Sequence, residues 1–560
     1  MDHKKTYFIV YGLLISLAVI LRFAGINGVP LTSTESANAV QAINLLEKGF
    51  TPSIGQPLYI IYTSMFFWLF NATEYFARLI PAIAGILVVL TPLLFKNTLT
   101  DRSLLLLTAF LAIDPLLVGL SRFASGDVFA LLSLICVIGF IYNSKPVLAG
   151  IAFGIGILSG PYFWAGMSIL LITLVLIKFT GVDKKTKLVL MSILVDGKQG
   201  WMRFFISVIL TFLILGSGFM SLPSGWQMAI RSIIEFFQGI ASDPELPVKA
   251  FLTGTLGYAS LPLFCGLLIF IVQRINGKII QRSSWLLFFV AAAFALLYTS
   301  RNIYFAIYFI LPLWVYVSRH LLDTFQLDRL DLIPYLIGTM VIITLIIFTY
   351  SNLRGMYSGS YQIYPSEIQI AALIGGFVLV GLTLILIIWG WGLQLGINLL
   401  VSAFGLVLLV YSASTTLGIM GNKSSYYGEM TARETVIIDE KLITKTITDI
   451  SKMEFQSHGG VTIDVVNFHK PSIDWALRNI RSVNHKSVIN PAKITPMIIT
   501  PDDGQVESSI GYRGQDFVWN RASDWKGMTG SDYLNWLITR KTKYIDEHLI
   551  LWVRLDLFAE

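Results

Sequence analysis

Hydrophobic runs alternate with short polar loops through the first three quarters of the chain, and this pattern predicts a series of membrane-spanning helices. The first run, Tyr7–Ala24, follows Lys4 and Lys5. It is long enough to cross a bilayer and no small-residue cleavage site follows it, so we interpret it as an uncleaved signal anchor. Together with that anchor we expect about thirteen spans, the others near residues 77–95, 103–120, 127–143, 146–160, 162–178, 203–220, 256–273, 284–299, 302–320, 332–350, 370–390 and 393–416.

The run Pro57–Phe70 decides how the predicted chain threads the membrane. Its length falls short of the roughly twenty residues that a crossing helix needs, so we expect it to lie flat in the interface. The basic loops, among them the cluster Lys184, Lys185 and Lys187, then all fall in the cytoplasm, as the positive-inside rule requires. The loops outside are expected at 25–76, 121–126, 221–255, 300–301 and 351–369, followed by the chain after about Gly421.

The chain changes character after the last predicted span. Alternating stretches at 461–468 and 497–500 predict strands, and 472–481 predicts a helix. We therefore expect a membrane domain at 1–420 and an extracytoplasmic α/β soluble domain at 421–560. The tryptophans of this domain are expected to be core or interface anchors rather than sugar-stacking platforms: Trp475, Trp519, Trp525, Trp536 and Trp552.

Composition agrees with a polytopic membrane protein and excludes an ordinary soluble one. Hydrophobic residues make up 55% of the chain and charged residues 13%, far from a globular average. The net charge of +7 sits in loops between hydrophobic runs, so it reports topology and not nucleic-acid binding. Cys136 and Cys265 each lie in an apolar run without a nearby partner in sequence, which argues against a disulfide framework or a cysteine metal site.

Two acidic residues near predicted helix starts are the main candidates for chemistry. Glu35 lies in LTSTESANAV and Asp127 in SRFASGDVF, both on the predicted outer side. Each has a simpler explanation when taken alone, because Thr32 to Glu35 fits a capping box and Asp127 is the second residue after a possible Ser125 cap. Two such acids at one membrane face favour a common catalytic site.

The order of these features resembles the GT-C superfamily of membrane glycosyltransferases, family 39 in particular. The stretch NATEYFARLIPAIAG resembles a family pattern through Glu74 and Arg78, and GILSGPYFW resembles its KGP segment with Ser159 at the lysine position. SRNIYFAIYFILPLW resembles a late family span and places Arg301 and Pro312. This resemblance covers most of residues 7–320, while PSIDWALRNI and EHLILWVRLDLF resemble archaeal and bacterial flippase-associated or oligosaccharyltransferase-like glycosylation proteins.

The resemblance implies transfer of a sugar from a polyprenyl-phosphate donor to an extracytoplasmic protein, lipid or glycan, by a multi-pass protein of the cell membrane and without nucleic acid. One departure matters, since the family usually has an Asp-Glu pair where this chain has Thr34 and Glu35. Thr34 then belongs to the substrate-binding residues. Either Glu35 or Asp127 takes the base role, or activity is lost, or the acceptor needs little activation.

The departing phosphate of such a donor needs a positive partner. Arg122 and Arg301, at external span ends, are the candidates, and the alternative is that they reach toward lipid headgroups. A magnesium or manganese ion held by Glu35 and Asp127 is a further open possibility. Glu74 and Arg78 are four residues apart and are expected to form a structural ion pair.

A second function class stays open from sequence alone, a non-catalytic flippase-associated or transport component for lipid-linked sugars. Transport predicts charged or helix-breaking residues in the middle of spans. The spans here are nearly free of charge and the notable acids lie at one end, which favours the enzyme. The loop at 221–250, with Trp226, Glu235, Asp243 and Glu245, is expected to fold over the cavity and shape access for the acceptor.

Overall fold

The structure is a computed structural model, and its helices precede a mixed sheet along the chain. The structure describes residues 3–47, 53–180, 197–220, 224–275, 277, 282–324, 332–358, 367–421, 428–432, 435–455, 459–489, 495–502, 504 and 511–558. The basic cluster Lys184, Lys185 and Lys187, on which part of the predicted topology rests, lies outside the described residues.

The helical part runs to Met420. Its helices, α1 to α17, are His3–Phe23, Ser33–Glu47, Pro57–Phe70, Glu74–Leu90, Asp101–Ile113, Pro115–Ser121, Asp127–Tyr142, Pro146–Ile157, Pro161–Thr180, Gly197–Gly216, Ser224–Ala241, Val248–Ile275, Arg282–Leu297, Ile307–Thr324, Leu332–Ser358, Glu367–Trp391 and Leu393–Met420. Short 3-10 turns at Thr91–Phe95 and Ile303–Ala306 adjoin α4 and α14.

The helices show why the chain belongs in a bilayer. Among the described residues, nine helices are long and apolar enough to cross a membrane, or ten when the bent pair α5 and α6 counts as one span. Four further helices are also apolar but shorter: Pro57–Phe70, Asp127–Tyr142, Pro146–Ile157 and Ser284–Leu297. A multi-pass helical membrane protein is therefore confirmed, whereas the count of about thirteen spans stays a prediction.

The span predicted at 103–120 is in fact a broken helix. α5 and α6 meet at an angle of 59°. Asp114 lies at the break, where its carboxylate accepts a hydrogen bond from Leu117 N–H over 3.0 Å and another from Trp314 Nε1 over 2.8 Å. Pro115 begins α6, and a proline lacks the donor that would continue α5. Hydrophobicity alone does not reveal this break, because both halves are apolar.

The C-terminal part contains the mixed sheet that the sequence predicts. Its strands, β1 to β6, are Thr435–Ile437, Thr462–Val466, Ser482–Lys486, Met497–Pro501, Tyr512–Ser523 and Tyr544–Arg554. Their order across the sheet is β1-β5-β6-β4-β2-β3. β2 pairs in parallel with β3 and β4, and the remaining neighbours are antiparallel. Helices α18 (Glu440–Phe455) and α19 (Pro471–Ala476) pack on it, whereas α20 (Gly530–Thr539) packs against the helical part through Tyr533 and Trp536.

The tryptophans of this part are largely core residues, as expected. Trp475, Trp519 and Trp536 are fully buried and Trp525 is nearly so, while Trp552 is half-buried. Trp475 does not serve the sheet, because its ring packs 5.9 Å from the ring of Phe67 on α3. It is thus an interface anchor between the two parts of the chain.

The sheet part contacts the helical part at the face that carries the loop 25–76. Arg478 donates to the backbone oxygen of Ala72 over 3.0 Å and to Glu74 over 3.2 Å. Thr435 on β1 hydrogen bonds with Ser33 at the start of α2. A second anchor lies farther along, where Glu429 accepts from Tyr258 of α12 and pairs with Arg540 at 3.5 Å. The C-terminal part therefore lies directly on the helix that carries Thr34 and Glu35.

Candidate active site

A polar cavity of about 230 Å³ lies at one end of the helical part. The residues that line it come from the predicted outer loops and the helix ends beside them. They are Thr34, Gln56, Asp127, Pro161, Tyr162, Glu235, Glu245, Tyr298, Ser300, Asn302 and Phe305. Loops that the topology prediction placed on one side thus meet at one cavity. The structure brings together Thr34 and Asp127 from the sequence-predicted site.

The loop before Asp127 is held by helix α2 through both backbone polar groups of one residue, Ala124. The N–H of Ala124 donates to Glu35 Oε1 over 2.9 Å, and Asn38 Nδ2 donates to the oxygen of Ala124 over 2.8 Å. All three residues are buried, so these bonds are shielded from competing water. Two polar side chains of α2 therefore fix the backbone three residues ahead of Asp127.

Gln56 holds the next part of the same loop. Its Oε1 accepts from the N–H of Gly126 over 2.8 Å, and its Nε2 lies 3.5 Å from Asp127 Oδ1. Gly126 is required here, because a Cβ at this position would lie 2.4 Å from the backbone oxygen of Ser159. Asp127 begins α7, and its carboxylate faces the cavity with an amide beside it.

Glu35 lies in a very different setting, fully buried and saturated with donors. Oε1 accepts from Arg78 Nε over 2.7 Å and from the Ala124 N–H, while Oε2 accepts from an Arg78 terminal nitrogen over 2.7 Å and from the Thr32 N–H over 2.9 Å. A carboxylate offers about four acceptor sites, and these four bonds occupy them. Burial alone would raise the pKa of Glu35, but the Arg78 guanidinium and the two N–H groups hold that pKa below its usual value.

The capping-box interpretation of Glu35 agrees with this geometry. The Glu35 N–H donates to Thr32 Oγ1 over 3.3 Å and the Thr32 N–H returns a bond to the carboxylate. Glu35 therefore caps α2, pairs with Arg78 and holds the Ala124 peptide at once. It is not among the described residues that line the cavity, and its exposed fraction is 0%.

The expected ion pair between Glu74 and Arg78 needs correction. Arg78 forms a bidentate pair with Glu35 instead, and it also donates to the backbone oxygens of Ile26, Val29 and Pro30. Glu74 pairs with Arg478 of the C-terminal part. The spacing of Glu74 and Arg78 on one helix could not predict these ion pairs, because the partner of each residue lies in another element.

The two arginines predicted to bind phosphate lie at helix ends. Arg122 donates to the backbone oxygens of Leu21, Arg22 and Ala24 at the end of α1, over 2.8–3.3 Å. Arg301 donates to the oxygens of Leu296 and Tyr298 at the end of α13. Both cations thus stabilise C-terminal carbonyls, where a helix favours positive charge. Neither is among the described residues that line the polar cavity.

The described lining of the cavity is acidic and contains no lysine or arginine. Glu235 and Glu245 join Asp127, as expected for the loop at 221–250, whereas Asp243 is exposed and Trp226 lies elsewhere. No group of three or more His, Cys, Asp and Glu side chains is placed to hold a metal ion among the residues described. With Glu35 saturated by Arg78 and backbone donors, the predicted shared site of Glu35 and Asp127 for magnesium or manganese has no geometric support.

Sequence reasoning did not identify Gln56, Tyr162, Tyr298, Asn302 or Phe305 as cavity residues. Gln56 and Asn302 immediately precede helical turns, where polar residues ordinarily serve as caps, and Asn302 does accept from the Tyr304 N–H over 3.1 Å. The aromatic residues lie in apolar runs and carry no separate signal. Only their position at the outer ends of predicted spans pointed toward the site.

A second, apolar cavity of about 330 Å³ lies among the helices beneath the polar one. A stacked tyrosine pair separates the two, since Tyr162 lines the polar cavity and Tyr308 the apolar one, with ring centroids 4.8 Å apart. The apolar walls come from the 3-10 turn after α4 and from α5, α7, α9, α13 and α14, and include Leu107, Leu111, Leu131, Leu134, Ile169 and Leu311. Arg319 lies at the far end, on the predicted cytoplasmic side.

Comparison with known proteins bears on the fold. No family model matches the sequence, and no characterised protein matches it significantly. The structure of ArnT from Cupriavidus metallidurans bound to undecaprenyl phosphate matches with a TM-score of 0.54 and 14% identity, covering 88% of this chain and 93% of ArnT. The apo form matches with a TM-score of 0.53 and 14% identity, covering 89% and 94%.

The chain has the GT-C fold. AglB from Archaeoglobus fulgidus, in complex with an inhibitory peptide and a dolichol-phosphate, matches less closely, with a TM-score of 0.45 and 13% identity over 90% of this chain and 70% of AglB. The GT-C fold expected from the sequence resemblance is thereby confirmed, and so is its combination with a C-terminal sheet domain. At this identity the match establishes the fold alone.

Proposed function

We propose that this protein transfers a sugar from a polyprenyl-phosphate donor to an extracytoplasmic acceptor. The observation that carries the proposal is the pair of stacked cavities, one polar with Asp127 and Thr34 and one apolar, separated by Tyr162 and Tyr308. A lipid-linked sugar has the same two-part character. The polar cavity suits its sugar and the hydroxyls of an acceptor, while the apolar one suits isoprene units.

The bound ligand of the structural neighbour supports the donor class. ArnT was crystallised with undecaprenyl phosphate, a lipid of this kind. Three of the helical segments around the apolar cavity are long and apolar enough to cross a membrane, namely Glu74–Phe95, Pro161–Phe179 and Ile303–Asp323. A prenyl tail therefore reaches the cavity without leaving a hydrocarbon environment. In this proposal the outer loops, the cavity and the C-terminal domain lie outside the cytoplasm, with the chain in the cell membrane.

Asp127 is the base in this mechanism. Its carboxylate lines the cavity at the start of α7 and lies beside the neutral Gln56 amide, so it is able to accept the proton of an acceptor hydroxyl. Attack of that oxygen on the anomeric carbon breaks the bond to phosphate through an oxocarbenium-like state, which nearby carboxylates stabilise. Thr34, which stands where the family usually has aspartate, contacts substrate rather than taking its proton.

Glu35 serves this mechanism as a positioning residue. Its four hydrogen bonds leave no acceptor site for a substrate proton or a metal ion, and two of them tie Arg78 and the Ala124 peptide together. Glu35 with Asn38 therefore sets the backbone of the loop that ends in Asp127. The filled acceptor sites of Glu35 and the position of Asp127 at the cavity support Asp127 as the base.

The test is a direct assay of the purified full-length protein in lipid nanodiscs with a panel of polyprenyl-phosphate sugars. We expect release of prenyl phosphate that depends on an added acceptor, and loss of that release in Asp127→Asn. Movement of the lipid across vesicles without any release identifies a transport component instead. Absence of both activities with every donor contradicts the proposal.

A further inference from the structure

The charge of the polar cavity poses a problem for the proposed reaction. Asp127, Glu235 and Glu245 line it, and no lysine or arginine does so among the described residues. When the sugar leaves, the prenyl phosphate gains a second negative charge beside these carboxylates. Repulsion between like charges raises the barrier unless the new charge is neutralised as it forms.

Glu235 is held at the wall of this cavity by helix α11. Met228, Ala229 and Phe236 pack inward, while Ile230, Ile234 and Phe237 are exposed on the opposite face. Such a helix, apolar on one exposed face and packed on the other, fits the membrane interface. Trp164 Nε1 donates to Ser232 Oγ over 3.0 Å and fixes α11 against α9.

A backbone contact holds the carboxyl group of Glu235 next to the segment that binds the Asp127 loop. Oε1 accepts from the Gly55 N–H over 3.0 Å, and Gly55 adjoins Gln56, which binds the Asp127 loop. Gly55 has no room for a side chain, since a Cβ there would lie 2.6 Å from Ser232 Cα. Glu235 and Asp127 therefore line the same cavity from two elements that meet at residues 55 and 56.

The charged and titratable groups that face Glu235 are few. Arg231, one turn earlier on α11, lies 3.4 Å away but has an exposed fraction of 48% at its side chain, so solvent screens this pair. Asp127, Glu245, Tyr162 and Tyr298 face it from the other walls of the cavity. Burial raises the pKa of Glu235, and the Gly55 N–H and Arg231 only partly oppose that rise.

We propose that Glu235 is a second catalytic residue, the general acid that protonates the departing prenyl phosphate. The acceptor oxygen forms its bond to the anomeric carbon and gives its proton to Asp127. The bond from that carbon to the phosphate oxygen breaks, its electron pair stays on the oxygen, and the Glu235 proton transfers there. The total charge in the cavity is the same before and after the step. Asp127 later releases its proton to solvent, and Glu235 takes one up from solvent.

This inference rests on the proposed function and is tested by the pH profile of turnover. Full-length parent, Glu235→Gln, Glu235→Asp and Asp243→Asn are assayed for prenyl phosphate release from about pH 5 to about pH 9. Gln keeps an acceptor for the Gly55 N–H but has no proton to give. Asp243, exposed just after the end of α11 and absent from the described cavity lining, is the matched control.

We expect turnover of the parent to fall at alkaline pH. Glu235→Gln should lower turnover about 100-fold at neutral pH and lose that alkaline limb. Glu235→Asp should keep the limb at a displaced pH, and Asp243→Asn should match the parent. If Glu235→Gln is too slow for a full profile, the position of the limb in Glu235→Asp decides, and an undisplaced limb overturns the proposal.

Three further results overturn it. One is parental turnover in Glu235→Gln, and another is a uniform loss of rate that keeps the alkaline limb, which indicates a structural role. The third is complete inhibition of the parent by a chelator with rescue by Mg²⁺, which assigns the phosphate charge to a metal ion. A parent without turnover overturns the proposed function as well, whereas an active parent with any of these results leaves that function standing.

Discussion

Glu35 and Asp127 make an instructive comparison, because both acids lie in the first turn of a helix and both belong to the same network. Glu35 is enclosed by Arg78, Thr32 and Ala124, and all its acceptor sites are filled. Asp127 has a neutral amide beside it and lines a cavity. The same local sequence signature thus produces a structural ion pair in one region and a candidate base in the other.

The difference is set by partners that are distant along the chain. Arg78 reaches Glu35 from 43 residues away, and Gln56 reaches Asp127 from 71 residues away. A guanidinium fixes a carboxylate in its charged form and removes it from proton exchange. An amide orients a carboxylate without preventing it from taking a proton. The predictions below test whether these two roles are separate.

The largest effect on stability is expected when the ion pair between Glu35 and Arg78 is removed. Glu35→Gln leaves the buried Arg78 without its counter-charge, so we expect a loss of about 3–5 kcal/mol in the free energy of unfolding. The measurement is thermal unfolding in detergent, followed by tryptophan fluorescence. Glu74→Gln is the matched control, since Glu74 also pairs with an arginine but its side chain is 22% exposed. If both variants unfold at the same temperature, the Glu35–Arg78 pair does not stabilise the fold more than the more exposed Glu74–Arg478 pair does.

The opposite pattern is expected at Asp127. Asp127→Asn keeps the shape of the side chain and removes the base, so turnover should fall by about 100-fold or more. The unfolding midpoint should stay near that of the parent, because asparagine keeps an oxygen that accepts a hydrogen bond from the Gln56 amide. Prenyl phosphate release and thermal unfolding measured on the same samples check both statements. A variant that turns over normally removes Asp127 from the mechanism.

Much of the fold followed from the sequence, because hydrophobic runs and strand alternation depend on local composition. The broken span at Asp114 did not, since apolar residues on both sides hide the break. Only some residues of the candidate site could be predicted from the sequence. Thr34 and Asp127 were predicted and share the cavity, whereas Gln56 and the Arg78 pairing depend on tertiary contacts that no local pattern encodes.

A smaller effect is expected at Gln56, whose amide contacts Asp127 and the Gly126 N–H. Gln56→Ala leaves the Gly126 N–H without its acceptor and frees Asp127 to turn, so turnover should fall about 10-fold with a cost of about 1–3 kcal/mol in stability. Gln56→Glu keeps an acceptor for the Gly126 N–H but replaces the amide beside Asp127 with a like charge, so turnover should fall while the Gly126 hydrogen bond is kept. If turnover in Asp127→Asn falls further when Gln56→Ala is added, Gln56 does not act through Asp127 alone.

The smallest effect is expected at Glu440, which lies where the C-terminal domain contacts the helices around Glu35. Glu440 lies 3.8 Å from Arg478, which also pairs with Glu74 on the helix that carries Arg78. Burial, and then the neighbouring Glu74, raises the pKa of Glu440 to about 7 from 4.5. The folded protein therefore binds more protons than the unfolded chain between these two values, and stability should decline as pH rises through that window.

Glu440→Gln stays neutral at every pH, so its unfolding midpoint should decline less than that of the parent between about pH 5 and about pH 7.5. Subtracting the two curves isolates Glu440 from other titrating groups. Asp449→Asn on the same helix, where the side chain is more exposed, should give the parental slope. A parental slope in Glu440→Gln shows that Glu440 does not titrate in this window and that the pH dependence of the parent comes from other groups. The C-terminal domain is then joined to the Glu35 region by contacts that do not involve Glu440, namely those of Arg478 with Glu74 and Ala72 and that of Trp475 with Phe67.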